Sequence, residues 1–168
     1  MTERRGLVIT DSQLERIDGL LWELKGLLDC SFLGLISTSG QPITTVFQGY
    51  EPETFALASL TAGAFAATRQ LAALLDEREF TLLFHEGNSV NLHVAQVSDQ
   101  VLLLITFGRE VPIGKVRLYT QRSIGVLQNI LQDEGGRDQC LPVDDEYEIG
   151  VEREMDEVFR DHDEEWQA

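Results

Sequence analysis

Three β-rich runs stand almost end to end in this chain: "FTLLFHE" (80–86), "VNLHVAQV" (90–97) and "VLLLITF" (101–107). Gly87-Asn88 and Ser98-Asp99 between them read as tight turns. Strands joined so closely run antiparallel, because a parallel return needs a crossover of about a dozen residues. The three therefore form a meander, and the architecture must be built around an antiparallel sheet. Two earlier runs, "CSFLGLIST" (30–38) and "ITTVFQGY" (43–50), are split by the turn residues "SGQP" and make a hairpin. "FTLLFHE" opens the meander without an earlier hairpin partner, which places it at an edge of the sheet.

Helical periodicity fills the remaining stretches. "DSQLERIDGLLWELKGLLD" (11–29) carries a stripe of Leu14, Ile17, Leu21, Leu24 and Leu28. Asp11 or Ser12 is its expected N-cap, with Ser12 and Glu15 as a capping box. A last helix, "KVRLYTQRSIGVLQNILQ" (115–132), has the stripe Val116, Thr120, Ile124, Leu127 and Leu131, and Gly135-Gly136 stops it. Between them lies "LASLTAGAFAATRQLAALL" (57–75). The element order α-β-β-α-β-β-β-α predicts an α+β domain, a five-stranded antiparallel sheet with helices on both faces. That domain occupies residues 1–132, and residues 133–168 form an acidic tail, partly disordered or a docking helix.

Charge separates the two parts. The chain of 168 residues has a net charge of −16, with 29 acids and 13 bases. Residues 133–168 hold 15 acids against 3 arginines, a net of −12, and the body carries the remaining −4. Such a balance argues against nucleic acid, whose phosphates need clustered cations. No apolar run approaches the roughly 18 residues of a membrane span. With no signal-peptide pattern at the N-terminus, the expectation is a soluble, cytoplasmic protein. Two cysteines, Cys30 and Cys140, are too few for a disulfide framework or a structural zinc site. Cys30 opens an apolar strand and reads as a small buried hydrophobe.

No motif for chemistry of its own stands out. "GREVPIGK" has five residues rather than four between Gly108 and Gly114, and Val116 stands where a phosphate loop needs a magnesium-binding hydroxyl. His85 and His93 lie on consecutive strands. A two-residue turn at Gly87-Asn88 sets His85 opposite Val90 and His93 opposite Leu82. Strand alternation then sends the histidines to opposite faces, which is no metal site. No cofactor or metal is expected.

The middle helix raises a different question. Leu57, Leu60, Ala64, Ala67, Leu71 and Leu74 make an apolar stripe at helical spacing, and a charged face should oppose it. The opposite side instead carries Ser59, Ala62, Gly63, Ala66, Gln70 and Ala73. A small, nearly uncharged back lets another backbone approach closely. It is covered by the chain's own tail, or is merely alanine-rich because alanine favours helix, or is a flat docking surface, between two copies or for a different protein. The edge strand points to the second option, because an apolar edge without proline is prone to pairing. Two copies joined through Phe80, Leu82 and Phe84 would make a two-fold dimer with a continuous sheet.

The element order, together with "LASLTAGAFAATRQLAALL", "FHEGNSVNLHV" and "LLLITFGREVPIGKVRL", resembles the roadblock/dynein light-chain family, in particular its bacterial MglB type. The resemblance covers about residues 10–132 and extends more weakly into "DDEYEIGVEREMDEVF". It implies a homodimeric activator of a small Ras-like (MglA-type) GTPase acting in cell polarity or gliding motility, without an active site of its own. It also implies that the paired middle helices form the platform for the GTPase, here Ser59, Ala62, Gly63, Ala66 and Gln70. Activation in such proteins proceeds by remodelling the GTPase rather than by inserting an arginine, and Arg69 is the only arginine on this helix. The tail is similar to a segment that reaches a second surface of the GTPase, which here would use Met155, Val158 and Phe159. The alternative is a dimeric scaffold for a GTPase or motor complex that leaves turnover unchanged.

Overall fold

Helix α1 (Asp11–Leu28) begins one residue after Thr10, which is its cap in place of the expected Asp11 or Ser12. The Thr10 hydroxyl accepts from the Gln13 backbone N–H at 3.2 Å, and the Gln13 side-chain oxygen accepts from the Thr10 N–H at 2.9 Å. This is a complete capping box, and its geometry needs a short hydroxyl at the cap with a Glu or Gln three residues on. Thr10 and Gln13 supply that pair two positions before Ser12 and Glu15. The helix ends at Asp29, whose φ of 48° turns the chain into the first strand. The computed structural model describes residues 7–49 and 51–133.

Strands β1 (Phe32–Ser37), β2 (Pro42–Phe47), β3 (Leu82–His85), β4 (Val90–Ser98) and β5 (Val101–Gly108) form one antiparallel sheet in the order β2-β1-β5-β4-β3. β3 is an edge, as its place in the chain predicts. Both turns of the meander differ from expectation. Ser98 pairs with Val101, so the β4–β5 turn is Asp99-Gln100. Leu82 pairs with Ala95 and His85 with Leu92, a two-residue shift from the expected register. The β3–β4 connection takes four residues because the Asn91 side chain folds back to accept the Gly87 N–H at 3.2 Å. A shift of two preserves the faces, and His85 and His93 do lie on opposite sides of the sheet.

Helices α2 (Thr54–Leu74) and α3 (Ile113–Gln132) complete the element order. α1 and α3 cover one face of the sheet, where Ile17, Leu21, Leu24, Leu35, Ile105, Phe107 and Val116 are closed to solvent. α2 covers the other, where Phe65 packs with Phe32, Ile36, Val94, Leu102 and Leu104. Gly34 of β1 makes room there, since a Cβ would stand 3.0 Å from the Phe32 ring. α3 is rotated slightly from its predicted stripe. Ser123 and Ile130 are buried, while Ile124 and Leu131 are only half-buried. The Gln13 side-chain amide fixes the end of α3 by donating to the Ile130 carbonyl at 2.9 Å.

Candidate protein-docking surfaces

α2 is apolar on every side, and for that reason helical spacing alone misorients it. The face against the sheet is Ala58, Thr61, Ala62, Phe65 and Ala72. The predicted core stripe points outward instead. Leu60 is 74% exposed, Leu71 53% and Leu74 81%, and only Leu57 and Ala64 of that stripe are half-buried. Two apolar stripes compete for the core, and the one holding Phe65 wins. Burying a phenylalanine contributes about 2–3 kcal/mol, and alanines beside it let the helix sit close to the strands. Phe65 is the available signal: it is the one aromatic residue in the interior of the helix, and it marks the inner face.

This orientation of α2 divides the predicted GTPase-binding set. Ala62 is buried against the chain's own sheet, 5% exposed, and cannot touch a partner. Ser59, Gly63, Ala66 and Gln70 are exposed or half-exposed and share one flank of the helix. Beside that small flank runs a ridge of Leu60, Ala67, Leu71 and Leu74, which the spacing alone places inside. Ser59 also ties the helix down, donating to the Gly40 carbonyl at 3.2 Å. No acid stands on α2, and Arg69, also exposed, is its only base. The chemistry available is flat apolar contact with little charge.

The second surface is the β3 edge. Phe84 is 37% exposed and stacks on Phe107 with ring centroids 6.4 Å apart. Leu82 and Phe80 are half-buried, Phe80 lying just before the strand. Alternation puts Leu82 and Phe84 on the α1/α3 face, and Leu83 and His85 on the α2 face. The outer backbone edge of β3 has no strand beside it among the described residues.

His93 sits fully buried behind Phe84, and desolvation, with the Arg117 charge nearby, lowers its pKa to about 4. Burial pushes the Cys30 thiol up to about 11, so it is a protonated, inert core group. Among the described residues, no group of His, Cys, Asp or Glu is placed to hold a metal ion. Nor is any described helix long and apolar enough to cross a membrane. Met155, Val158 and Phe159 lie outside the described residues.

The described residues place three helices on a five-stranded antiparallel sheet, an α+β domain whose family is shown directly. Residues 21–107 match the model of the Roadblock/LC7 domain, and the chain belongs to that family. Among solved structures it is similar to the gliding protein MglB of Thermus thermophilus, with 30% identity, 76% of this chain and 96% of that chain covered, and a TM-score of 0.71. It is likewise similar to Myxococcus xanthus MglB, with 32% identity over 70% of this chain and 95% of that one, and a TM-score of 0.67. An MglB described as having a tetrameric arrangement matches at 29% identity, 76% and 96% coverage, and a TM-score of 0.72. A search of the curated proteins found no match.

Proposed function

We propose that this protein is a homodimeric activator of a small Ras-like GTPase of the MglA type, serving cell polarity or motility. The observation that carries this reading is the outward face of α2, where three exposed leucines adjoin an uncharged flank of Ser59, Gly63, Ala66 and Gln70. A helix that presents so much apolar surface in a water-soluble fold needs a protein over it. Membership of the roadblock family and similarity to MglB support a small GTPase as the class of partner.

In this reading β3 pairs with β3 of a second copy through Phe80, Leu82 and Phe84, which removes the open edge. The two α2 helices then present a continuous platform, with the leucine ridge giving apolar anchors and the small flank giving close approach. The protein contributes no catalytic group and acts by holding the GTPase in its hydrolytic conformation. Met155, Val158 and Phe159 of the tail reach a second surface of the GTPase, steered by the surrounding acids.

Single-turnover GTP hydrolysis by a Ras-like GTPase from the same cell, with and without this protein, tests the proposal. A large acceleration that saturates near two chains per GTPase is expected. Binding of the GTP-loaded form at an unchanged rate would instead establish a scaffold.

A further inference from the structure

Helix α3 is the basic element of an acidic chain. From Ile113 to Gln132 it carries Lys115, Arg117 and Arg122 and no Asp or Glu, in a protein of net charge −16. Lys115, Tyr119, Arg122 and Val126 recur at four- and three-residue steps, which makes them one row along the helix. All four are half-buried. The Arg122 guanidinium lies over the Tyr119 ring at 5.9 Å. Tyr119 and Val126 pack on the core that α3 shares with α1, so the row borders the α1–α3 seam. Arg117 stands on the other flank, near His93.

Each of the two helices also carries a glycine open to solvent. Gly19 of α1 and Gly125 of α3 are exposed, and nothing lies within 4 Å of where their Cβ atoms would stand. Glycine weakens a helix relative to alanine, and no described residue packs against either position. The bare backbone there admits close approach of another segment.

The place where the chain leaves the domain indicates which segment. Asp133 follows α3 directly, its carbonyl accepting from the Gln13 side chain at 3.2 Å and its carboxylate pairing with Arg16 at 3.3 Å. These contacts anchor the exit against α1, at one end of the seam. Residues 134–168, beyond that exit, contain 14 acids and 3 arginines. A 20-residue helix is about 30 Å long, and about ten extended residues span that distance, so this segment is long enough to return along it. Tethering keeps its local concentration high, at least about millimolar, so contacts that are weak one by one act together.

We propose that residues 134–168 lie back along the α1–α3 seam of their own chain, with their carboxylates against Lys115 and Arg122. The acids assigned above to steering a GTPase are then held on α3 until a partner competes for them. This docking needs no GTPase and stands independently of that assignment.

Zero-length carbodiimide coupling of the full-length protein alone, read by peptide mass mapping, tests it. The chain has two lysines, Lys115 and Lys25. Lys25 donates to Gln48 of the β2 flank at 3.1 Å, away from the seam, and serves as the internal control. Amide links from Lys115 to residues 134–168 should exceed those from Lys25 several-fold, and should vanish at about 1 M salt, where the screening length is about 3 Å. Arg122→Glu, with an unchanged circular dichroism spectrum, should lower the Lys115 yield several-fold. Equal yields at the two lysines, an Arg122→Glu variant that couples as before, or links that join isotopically distinct copies would each overturn the proposal.

Discussion

His93 and Phe84 stand opposite one another across the β3–β4 ladder, the imidazole wholly buried and the ring on the open edge 37% exposed. Neither ring nitrogen of His93 has a hydrogen-bond partner among the described residues, and Thr120 and Ser123 of α3 likewise keep unpartnered buried hydroxyls. The edge proposed for pairing therefore backs onto the least satisfied part of the core.

That arrangement predicts acid sensitivity. The folded-state pKa of His93 is lowered from 6.5 to about 4, so the unfolded chain binds the proton more readily. The stability due to the neutral imidazole is complete above pH 6.5 and is lost as pH falls toward 4. At pH 5 the loss from this group is about 2 kcal/mol relative to pH 8. Urea unfolding across that range should show it, and His93→Leu should flatten the profile by that amount. An unchanged slope in the variant would assign the acid sensitivity to other groups.

Adjacent positions on α2 should behave oppositely. Ala62→Arg forces a charge into the interface with the sheet and should cost at least about 3 kcal/mol, by overpacking and burial of an unpaired ion. Gly63→Arg points outward and should raise stability by as much as about 1 kcal/mol, since arginine is the better helix former. It should also abolish GTPase binding. Thermal unfolding and a pull-down on the two variants separate the inner face from the platform.

At the edge, Phe84→Lys places a charge where the second copy should pair. Sedimentation should show monomers at concentrations where the parent protein is dimeric, with the far-ultraviolet spectrum unchanged. A variant that remains dimeric would move the contact between copies away from β3.

The Thr10–Gln13 box joins two helices as well as starting one. Thr10→Ala removes only the cap and should cost about 1 kcal/mol. Gln13→Ala also frees the Ile130, Leu131 and Asp133 carbonyls that accept from its amide. Its cost should be larger, about 2–3 kcal/mol, and faster hydrogen exchange should appear in the last turn of α3.

The element order, the edge position of β3 and the opposite facing of the two histidines are readable in the sequence, because each depends only on periodicity and short connections. Three features stay ambiguous there for physical reasons. Thr10 and Ser12 both suit a cap, and the choice depends on which following residue reaches back. The β3–β4 loop can be two residues or four until the Asn91 side chain is placed against the Gly87 N–H. On α2, with leucine on one side and alanine around Phe65 on the other, both faces satisfy an apolar rule. Only the fit against β1 and β5 decides, and sequence spacing carries no record of that fit. Of the predicted platform, Ser59, Gly63, Ala66 and Gln70 are on the outside and Ala62 is not, and Leu60, Leu71 and Leu74 share that outside.

Arg69 gives the sharpest test of how activation works. It is exposed near the outer face of α2, so an arginine reaching into a GTPase from this helix would have to be this one. A finger acting in trans raises hydrolysis by about 10³ to 10⁵. The proposed mechanism uses the apolar platform instead, so Arg69→Ala should leave the stimulated single-turnover rate within about threefold, less than about 1 kcal/mol in barrier. Leu71→Glu, which charges the ridge, should remove both binding and stimulation. A rate loss of several hundredfold in Arg69→Ala with binding intact would replace the remodelling mechanism by a finger.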